Sequence, residues 1–491
     1  MSILRLQEKH VTKYVWEGNE RLLRPRRHAS WVLKHEDILD QRVKRLIDHS
    51  GFGHLLKFKH IDFNHVLITT LVERWRTETH TFHFPLSETT VTLEDVELIL
   101  GLPIDGQVVT GITSGDLVSL CDQLLGFIPP STAIKGNAIK LSWLNNTFQE
   151  LPHNATDDVI AQHARAHILT LIGSLLMPDS SGSKVHLMYL LLLADLNNIR
   201  NYSWGSAVLA SLYRALDHGI DFNQDNIGGC TLLLQCWAWE RLTCISPQLQ
   251  PLTDEEVQQG VGFPLGKRWT RRMHRTHIGG TTVPQIRAIF DGIKAKEFLW
   301  TPYRVEYVRR LITIEVSPTA RAIVPLICFA TVEFHQVDRV MRQFGFRQSI
   351  PSDPFNRDQL HKEDMRGRTD RYWPQYHVAW IAMWNDRRNH LIHGNQFNGN
   401  GHLHDNSTYM QWYINHIIRY ITPIQSSSDD DYYRPTMPSQ VSANQSDDNE
   451  IEGTDDDIPP PPPPTLRSEQ QPQGRPRRQR RRPPCGTTSH R

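Results

Sequence analysis

Residues 157–177 read DDVIAQHARAHILTLIGSLLM, and this stretch decides the class of fold. Apolar side chains recur along it every three or four residues, at Ile160, Ala164, Ile168, Leu171 and Leu175. That spacing is typical of an amphipathic α-helix with one face in a core. Thr156 is a favourable N-cap just before the stretch, and Pro178 stops a helix just after it. The sequence therefore predicts a long helix over residues 157–177.

Two further stretches are apolar on nearly every side. Residues 185–196 read VHLMYLLLLADL, and residues 232–242 read LLLQCWAWERL. Helices without a polar face are interior elements of a large helical domain. Amphipathic or capped patterns predict additional helices over residues 38–48, 63–76, 92–101, 206–216, 376–391 and 409–420. Strand-like patterns are confined to residues 79–84 and 323–332.

The composition changes near residue 425. Of the 30 Pro residues in the 491-residue chain, 12 follow residue 425, whereas all 13 Trp residues precede it. A segment with so little apolar surface to bury cannot offset the entropy lost on ordering. We therefore expect a mainly α protein: a polar N-terminal arm over 1–30, a single large helical domain with a few short β-strands over 31–425, and a disordered acidic, Pro-rich and Arg-rich tail over 426–491.

Charge and cysteine content exclude several classes of protein. The chain has 54 Lys and Arg against 53 Asp and Glu, so overall charge gives no argument for nucleic-acid binding. Its six Cys residues show no close pairing, which indicates reduced thiols in an intracellular protein. The N-terminus lacks an apolar signal stretch, and the longest apolar run, residues 187–194, is far shorter than the ~20 residues that span a bilayer. We expect neither a secreted nor a membrane protein.

A cluster of arginines near the C-terminus is the strongest polyanion-binding signal. Its members lie within eight residues, and we call them the arginine cluster: Arg475, Arg477, Arg478, Arg480, Arg481 and Arg482. Such runs bind nuclear-import receptors, or phosphate backbones without sequence preference. The alternative is a solvated charge run with no role.

A second candidate patch lies on the predicted helix over 376–391. Trp380 and Trp384 are one helical turn apart, and Arg387 and Arg388 follow. Bases stack on aromatic rings and arginines neutralise phosphate, so the four residues could form a nucleic-acid platform. A Trp stripe facing the core, followed by a basic helix terminus, is the more ordinary interpretation.

No catalytic, cofactor-binding or metal-binding set can be assigned from spacing. His80 and His83 alternate with threonines on a predicted strand, and His390 and His393 lie three residues apart. Either pair could supply two metal ligands, but no third or fourth ligand occurs at zinc-like spacing. Acidic residues are scattered, so a carboxylate triad cannot be chosen. The sequence therefore predicts no cofactor, no metal and no enzyme motif.

Several passages together resemble the plant mobile domain. They run in order from residue 71 to residue 345: LVERWRTETHTFHFP (71–85), VTLEDVELILGLPIDG (91–106), YSWGSAVLA (202–210), GGCTLLLQCWAWER (228–241), PLICFATVEFH (325–335) and DRVMRQFG (338–345). The resemblance covers about residues 30–400. It implies a transposon-associated domain that also occurs in host proteins of the Maintenance of Meristems type.

The resemblance also implies a biological setting. Host proteins with this domain are nuclear and are linked to meristem development, genome integrity and repression of transposable elements. The domain has been labelled aminotransferase-like, but no lysine here can be named as a cofactor Schiff base. Some relatives fuse the domain to a "long form" serine/threonine phosphatase. The end of this chain does not resemble that enzyme, so phosphatase activity is not carried over.

Two hypotheses from different classes follow. The first is a non-enzymatic nuclear protein that binds nuclear proteins or chromatin, with nonspecific nucleic-acid contact through the tail. The second is a transposon-encoded accessory protein with nuclease-like, nucleic-acid-processing activity. Converging carboxylates in the folded protein would favour the second hypothesis. The oligomeric state is not predicted.

Overall fold

The computed structural model describes residues 3–25, 39–58, 61–113, 115–179, 181–271, 282–356, 358–362, 371–397 and 407–423. All of these residues lie in one compact unit, residues 1–435. The predicted tail over 426–491, with its arginine cluster, lies outside the described residues.

The described residues are mainly helical, as the apolar periodicity predicts. The α-helices are Val11–Trp16, Gln41–His49, Gly53–Leu56, His65–Val72, Leu93–Leu100, Leu117–Leu125, Leu141–Thr147, Asp157–Leu171, Met188–Leu192, Trp204–Gly219, Thr231–Arg241, Asp254–Gln258, Val283–Asp291, Glu306–Arg309, Trp373–Tyr376, Val378–Asn385 and Thr408–His416. Short 3-10 helices occupy Gln7–Lys9, Ile199–Asn201, Leu265–Arg271, Ala295–Glu297, Pro302–Arg304, Pro318–Arg321, Val337–Phe344, Leu360–Lys362 and Arg387–His390.

The strands of the described chain are short and form small separate sheets. In chain order they are β1 (Arg24–Pro25), β2 (Trp75–Arg76), β3 (Thr81–Phe84), β4 (Ser87–Thr89), β5 (Ile134–Lys135), β6 (Ala138–Lys140), β7 (Lys184–His186), β8 (Asn226–Ile227), β9 (Val324–Cys328) and β10 (Thr331–His335). Strands β2–β3–β4 and β5–β6–β7 form antiparallel sheets, β9 and β10 form a hairpin, and β1 pairs in parallel with β8.

The largest hydrophobic core extends from Leu23 to Trp373 along the chain. Every residue of the Thr231–Arg241 helix is buried, which confirms the prediction of an interior helix. The Trp204–Gly219 helix packs beside β9 and β10, and Trp204 in its first turn is fully buried. Central helices covered from all sides explain why their sequences lack a polar face.

The capped helices begin and end where the sequence predicts. Thr156 accepts a hydrogen bond from the Val159 N–H and starts the Asp157–Leu171 helix, which continues as a π-helical turn over Ile172–Leu176. Length and composition alone would allow this helical segment to cross a membrane, but 78% of the apolar window is buried, as in a core helix. Thr92 forms a capping box with Asp95, and Gly101 ends that helix with φ of 71°.

Other element boundaries differ from the predictions. The predicted helix over 185–196 is strand β7 followed by a five-residue helix, because Val185 pairs with Ile139 at the edge of a small sheet. The predicted strand over 323–332 is a hairpin that turns at Phe329 with φ of 49°. The helix predicted over 63–76 ends at Val72, since Trp75 and Arg76 pair with the next strand.

The predicted late helix over 376–391 is also interrupted. Separate segments at Trp373–Tyr376, Val378–Asn385 and Arg387–His390 replace it. The second late helix ends at His416, earlier than the sequence predicts.

Residues 3–25, which are the described part of the polar arm predicted over 1–30, are attached to the helical body. Val11 and Leu23 are fully buried, and the His10 imidazole lies 2.7 Å from the backbone oxygen of Trp75. Strand β1 pairs with β8 through Pro25 and Ile227. Residues 3–25 therefore contribute to the same compact unit as the body.

Candidate functional site

Four segments that are far apart in sequence bring two imidazoles and two carboxylates together. His80 lies in the turn between β2 and β3, and Asp217 in the last turn of the Trp204–Gly219 helix. Glu333 lies on β10, and His361 lies in the 3-10 helix Leu360–Lys362. One atom of each side chain falls within 4.8 Å of the other three. We call these four residues the His–carboxylate cluster.

The inner atoms of the cluster are in direct contact. The Nε2 atom of His80 lies 3.2 Å from Oδ2 of Asp217 and 3.2 Å from Oε2 of Glu333. The Nε2 atom of His361 lies 3.6 Å and 3.0 Å from the same two oxygens. His80, Asp217 and Glu333 have side chains that are 1%, 5% and 0% exposed, whereas the side chain of His361 is 24% exposed. The cluster is thus deep, with His361 on its outer side.

The outer atoms of the three deep residues are held by other groups. His80 Nδ1 lies 3.2 Å from the backbone oxygen of Phe334. The indole N–H of Trp75 donates to Oδ1 of Asp217 at 2.7 Å, and Arg214 donates to Oε1 of Glu333. Each deep side chain is therefore oriented so that its second polar atom points to the cluster centre.

The backbone and ring packing at His80 fix its position further. His80 has φ of 52°, a left-handed conformation that costs a non-glycine residue on the order of 1–3 kcal/mol. Its ring stacks on Trp75, with centroids 5.6 Å apart, and packs against Tyr213 at 4.8 Å. Such strain persists because the surrounding packing determines the conformation.

Both carboxylates of the cluster remain anionic at neutral pH. Burial by itself raises the pKa of Asp217, but attraction to His80 and the hydrogen bond with it outweigh burial and lower the pKa. Burial acts in the same direction on Glu333, yet Arg214 and the two histidines hold the pKa of Glu333 well below its usual range. The cluster therefore presents two anionic oxygen donors beside two imidazole nitrogens.

The histidine pairs that the sequence offers lie in different surroundings in the fold. His80 joins the cluster, but His83 lies on β3 and faces Glu88, with Nε2 3.5 Å from Oε1. Burial lowers the pKa of His83 to about 4. Nε2 of His390 lies 3.3 Å from Oδ2 of Asp386 near the surface. The true neighbours of His80 come from other elements, so sequence spacing could not reveal them.

The proposed Trp–Arg platform is divided between core and surface. Trp384 is fully buried, and its indole N–H donates to the backbone oxygen of Gly106 at 2.9 Å. Trp380 is partly buried and packs edge-on against Phe334, with ring centroids 5.4 Å apart. Arg387 pairs with Asp105, and Arg388 is exposed. The face of Trp384 is therefore closed to a base, whereas Trp380 stays partly exposed.

A polar cavity of about 420 Å³ lies at the end of the Leu93–Leu100 helix, away from the cluster. Glu97, Lys57 and Arg200 are among the charged residues that line it. Glu97 is 8% exposed, and its carboxylate accepts a hydrogen bond from the Ser317 N–H at 2.9 Å. Burial, the largest cause, raises the pKa of Glu97 to about 7.

Replacing Glu97 with glutamine is expected to change how stability depends on pH. Because the pKa of Glu97 is about 7 in the folded state and about 4.5 when unfolded, the folded protein binds the extra proton. Stability from this group is therefore lost as pH rises from about 4.5 through 7. Denaturant titrations at pH 5 and pH 8 measure how far the free energy of unfolding falls between these pH values. The fall should be smaller for Glu97→Gln than for the unaltered chain, by about 2 kcal/mol.

The exposed Glu315 at the same cavity provides the control. Glu315→Gln removes one carboxylate from the same cavity by the same substitution, so it serves as the matched variant for the comparison. Equal pH profiles for Glu97→Gln and the unaltered chain would contradict the prediction.

A sequence model of the plant mobile domain matches residues 51–414. The chain belongs to the plant mobile domain family. Protein MAIN-LIKE 1 of Arabidopsis thaliana is 37% identical over 420 residues, which cover 84% of this chain and 78% of that protein. Protein MAINTENANCE OF MERISTEMS of the same plant is 33% identical over 429 residues, or 84% of this chain and 82% of that protein.

A third relative has an enzyme name. Serine/threonine-protein phosphatase 7 long form homolog of Arabidopsis thaliana is 35% identical over 433 residues, which cover 86% of this chain but 32% of that protein. No solved structure matches the chain. All four residues of the His–carboxylate cluster fall inside the plant mobile domain match, whereas the arginine cluster falls outside it.

Proposed function

We propose that this chain is a non-enzymatic nuclear protein that acts in meristem development, genome integrity and the silencing of transposons or genes, through contacts with nuclear proteins or chromatin. The observation that carries the proposal is the similarity to Protein MAINTENANCE OF MERISTEMS, which covers most of both chains. A similarity over 84% of this chain includes most of the plant mobile domain, and a shared domain supports a shared role.

The burial of the acidic groups supports a role that does not include cleavage of a nucleic acid. The carboxylates of Asp217 and Glu333 are at most 5% exposed, and Glu88 beside His83 is fully buried. A nuclease has to bring its carboxylates to the phosphodiester of a bulky polyanion. Among the described residues, these carboxylate–histidine groups lack the open access that the nuclease-like alternative needs.

Similarity to the phosphatase-named relative gives little support for an enzyme. The similar region is about one third of that protein, and it corresponds to most of the plant mobile domain here. An activity named for the whole relative can belong to the part that this similarity does not cover. Phosphatase activity is therefore not included in the proposal.

The arginine cluster is the proposed means of nuclear entry. Its six guanidinium groups are concentrated in eight residues, whereas the whole chain has a formal net charge of +1. A local concentration of guanidinium groups binds an acidic receptor groove or a phosphate backbone by charge-assisted hydrogen bonds. Phosphate contacts made this way are nonspecific and weaken with salt.

Genetic complementation tests the proposed role. The full chain is expressed in Arabidopsis thaliana plants that lack Protein MAINTENANCE OF MERISTEMS, and meristem size and transcripts of transposable elements are measured. We expect the chain to restore both toward the levels of unaltered plants. Nuclear accumulation of the chain without any restoration would overturn the meristem role.

Replacing all six residues of the arginine cluster with glutamine is expected to reduce nuclear accumulation several-fold. The variant should also lose DNA affinity and the steep salt dependence that engaged arginines produce, a slope of roughly −0.9 per neutralised phosphate. Imaging of a tagged chain and binding titrations at several salt concentrations measure these effects. Replacing Arg309 and Arg310 on the folded body with glutamine is the charge control. Unchanged nuclear entry and DNA affinity of the six-residue variant would show that the cluster is only a solvated charge run.

A further inference from the structure

We propose that the His–carboxylate cluster is a structural zinc site, in which His80, Asp217, Glu333 and His361 bind one Zn²⁺ ion. This inference goes beyond the proposed function, because neither a nuclear location nor a role in meristems requires a metal. It stands on the geometry, burial and outer contacts of four side chains from four separate segments. The alternative is that the same four side chains form an ion-pair network with protonated histidines and no metal ion.

The spacing of the inner atoms fits a tetrahedral zinc ion. Zinc binds imidazole nitrogen and carboxylate oxygen at about 2.0–2.1 Å, so a regular tetrahedron of such ligands has edges of about 3.3 Å. The four nitrogen–oxygen separations, which are four of the six edges, are 3.2, 3.2, 3.0 and 3.6 Å, and all four atoms lie within 4.8 Å of one another. A small ion can therefore be accommodated among these atoms with little movement of the backbone.

The hydrogen bonding of His80 favours a cation at the centre. A neutral imidazole donates from one nitrogen and has a lone pair on the other. Nδ1 of His80 faces the carbonyl oxygen of Phe334, so it takes the donor role and leaves the lone pair on Nε2. That lone pair faces two carboxylate oxygens, an arrangement that needs either a second proton or a metal ion between them.

The outer contacts are those of an oriented metal site. Zinc-binding histidines commonly donate their other N–H to a backbone carbonyl, and ligating carboxylates are themselves hydrogen bonded. Phe334 holds His80, Trp75 holds Asp217, and Arg214 holds Glu333 in this way. Three of the four ligands are thus fixed in orientation before an ion binds.

The donor set selects zinc over the common hard cations. Mg²⁺ and Ca²⁺ prefer six or more oxygen ligands, whereas two nitrogens and two oxygens at tetrahedral spacing suit Zn²⁺. With four protein ligands the coordination is closed, which is typical of a structural site. The ion would connect the 3-10 helix Leu360–Lys362 to the Trp204–Gly219 helix and to β10.

Metal analysis of the full chain, purified without a metal-affinity tag, tests the proposal. We expect about one zinc per chain. After removal of zinc by a chelator, Zn²⁺ should raise the melting temperature by about 2 °C or more, and Mg²⁺ should not. Co²⁺ in place of zinc should give the strong visible absorption of tetrahedral cobalt.

Variants at His361 separate a zinc site from an ion-pair network, because this side chain is 24% exposed and its replacement leaves the core intact. His361→Gln should bind zinc at least about ten-fold more weakly, whereas His361→Cys should retain zinc because a thiolate is a zinc ligand. In an ion-pair network, a thiol cannot replace the imidazolium. His390→Gln, at the partly exposed histidine outside the cluster, is the matched control and should bind zinc normally.

Three results would overturn the proposal. The first is a chain without zinc whose melting temperature is unaffected by Zn²⁺. The second is His361→Gln with unchanged zinc affinity. The third is equal loss of zinc in His390→Gln and His361→Gln. None of these results would affect the complementation test, so the two proposals fail separately.

Discussion

Replacing Arg241 with methionine is expected to lower the free energy of unfolding by about 3–5 kcal/mol. The guanidinium of Arg241 donates to Oδ1 of Asp95 at 2.8 Å, and both side chains are fully buried. Tyr303 donates to the same oxygen at 2.6 Å. Methionine has nearly the same volume but no charge, so it leaves the carboxylate of Asp95 buried without its cation. Denaturant unfolding followed by tryptophan fluorescence measures the loss.

A surface ion pair provides the control for Arg241. Arg310 pairs with Asp254 at 3.0 Å, and their side chains are 51% and 83% exposed. Arg310→Met should cost less than about 1 kcal/mol, because water and salt screen an exposed pair. Adding Asp95→Asn to Arg241→Met should recover part of the loss, since the uncompensated charge is then absent. Similar losses for Arg241→Met and Arg310→Met would contradict the prediction.

Replacing Trp237 with alanine is expected to lower the free energy of unfolding by about 3–5 kcal/mol. Trp237 lies in the interior helix Thr231–Arg241, is fully buried and packs against Phe82, with ring centroids 5.1 Å apart. Alanine removes that contact and leaves a cavity that the surrounding helices cannot fill. The same unfolding titration measures the loss.

A second substitution at Trp237 refines the prediction. Its indole Nε1 is buried and makes no hydrogen bond to the described residues. Trp237→Phe should therefore cost about 1.5 kcal/mol or less, since it keeps most of the apolar volume and removes a buried polar atom. Trp412→Ala, at a partly buried position near the C-terminal end of the body, should cost less than Trp237→Ala. A loss for Trp237→Phe as large as that for Trp237→Ala would contradict the cavity argument.

The helical elements could be predicted where local signals agree. The Leu93–Leu100 helix has its capping box at Thr92 and Asp95 and its glycine at 101, all within ten residues of sequence. The pattern of the Thr231–Arg241 helix, apolar on nearly every side, predicts its burial directly. In these segments the residues that start, stop and bury the helix are neighbours along the chain, so a single sequence contains the information.

The predicted helix boundaries are wrong where pairing with a strand distant in sequence decides the backbone conformation. Val185 and His186 begin the helix predicted over 185–196, but they belong to β7 because β6 offers an edge to pair with. Trp75 and Arg76 similarly leave the predicted helix because they pair with β3. Backbone pairing across a loop is a tertiary interaction, and it overrides a weak local preference.

The candidate site could be predicted only in part. Sequence spacing indicates His80 as a possible ligand but pairs it with its neighbour His83, whose side chain faces Glu88. Asp217, Glu333 and His361 were missed, because each looks ordinary in its own segment. A helix end, a strand interior and a short 3-10 turn carry no spacing that would link them.

The sequence by itself determined the family, the helical class, the interior helices and the change of composition near residue 425, because these depend on periodicity and on residues close together along the chain. Only the tertiary structure decided that His80, Asp217, Glu333 and His361 meet, since residues 80 to 361 are brought together by the packing of a turn, a helix, a hairpin and a 3-10 helix. It also decided that Trp384 faces the core. Local chemistry sets the elements, and long-range packing sets which side chains become neighbours.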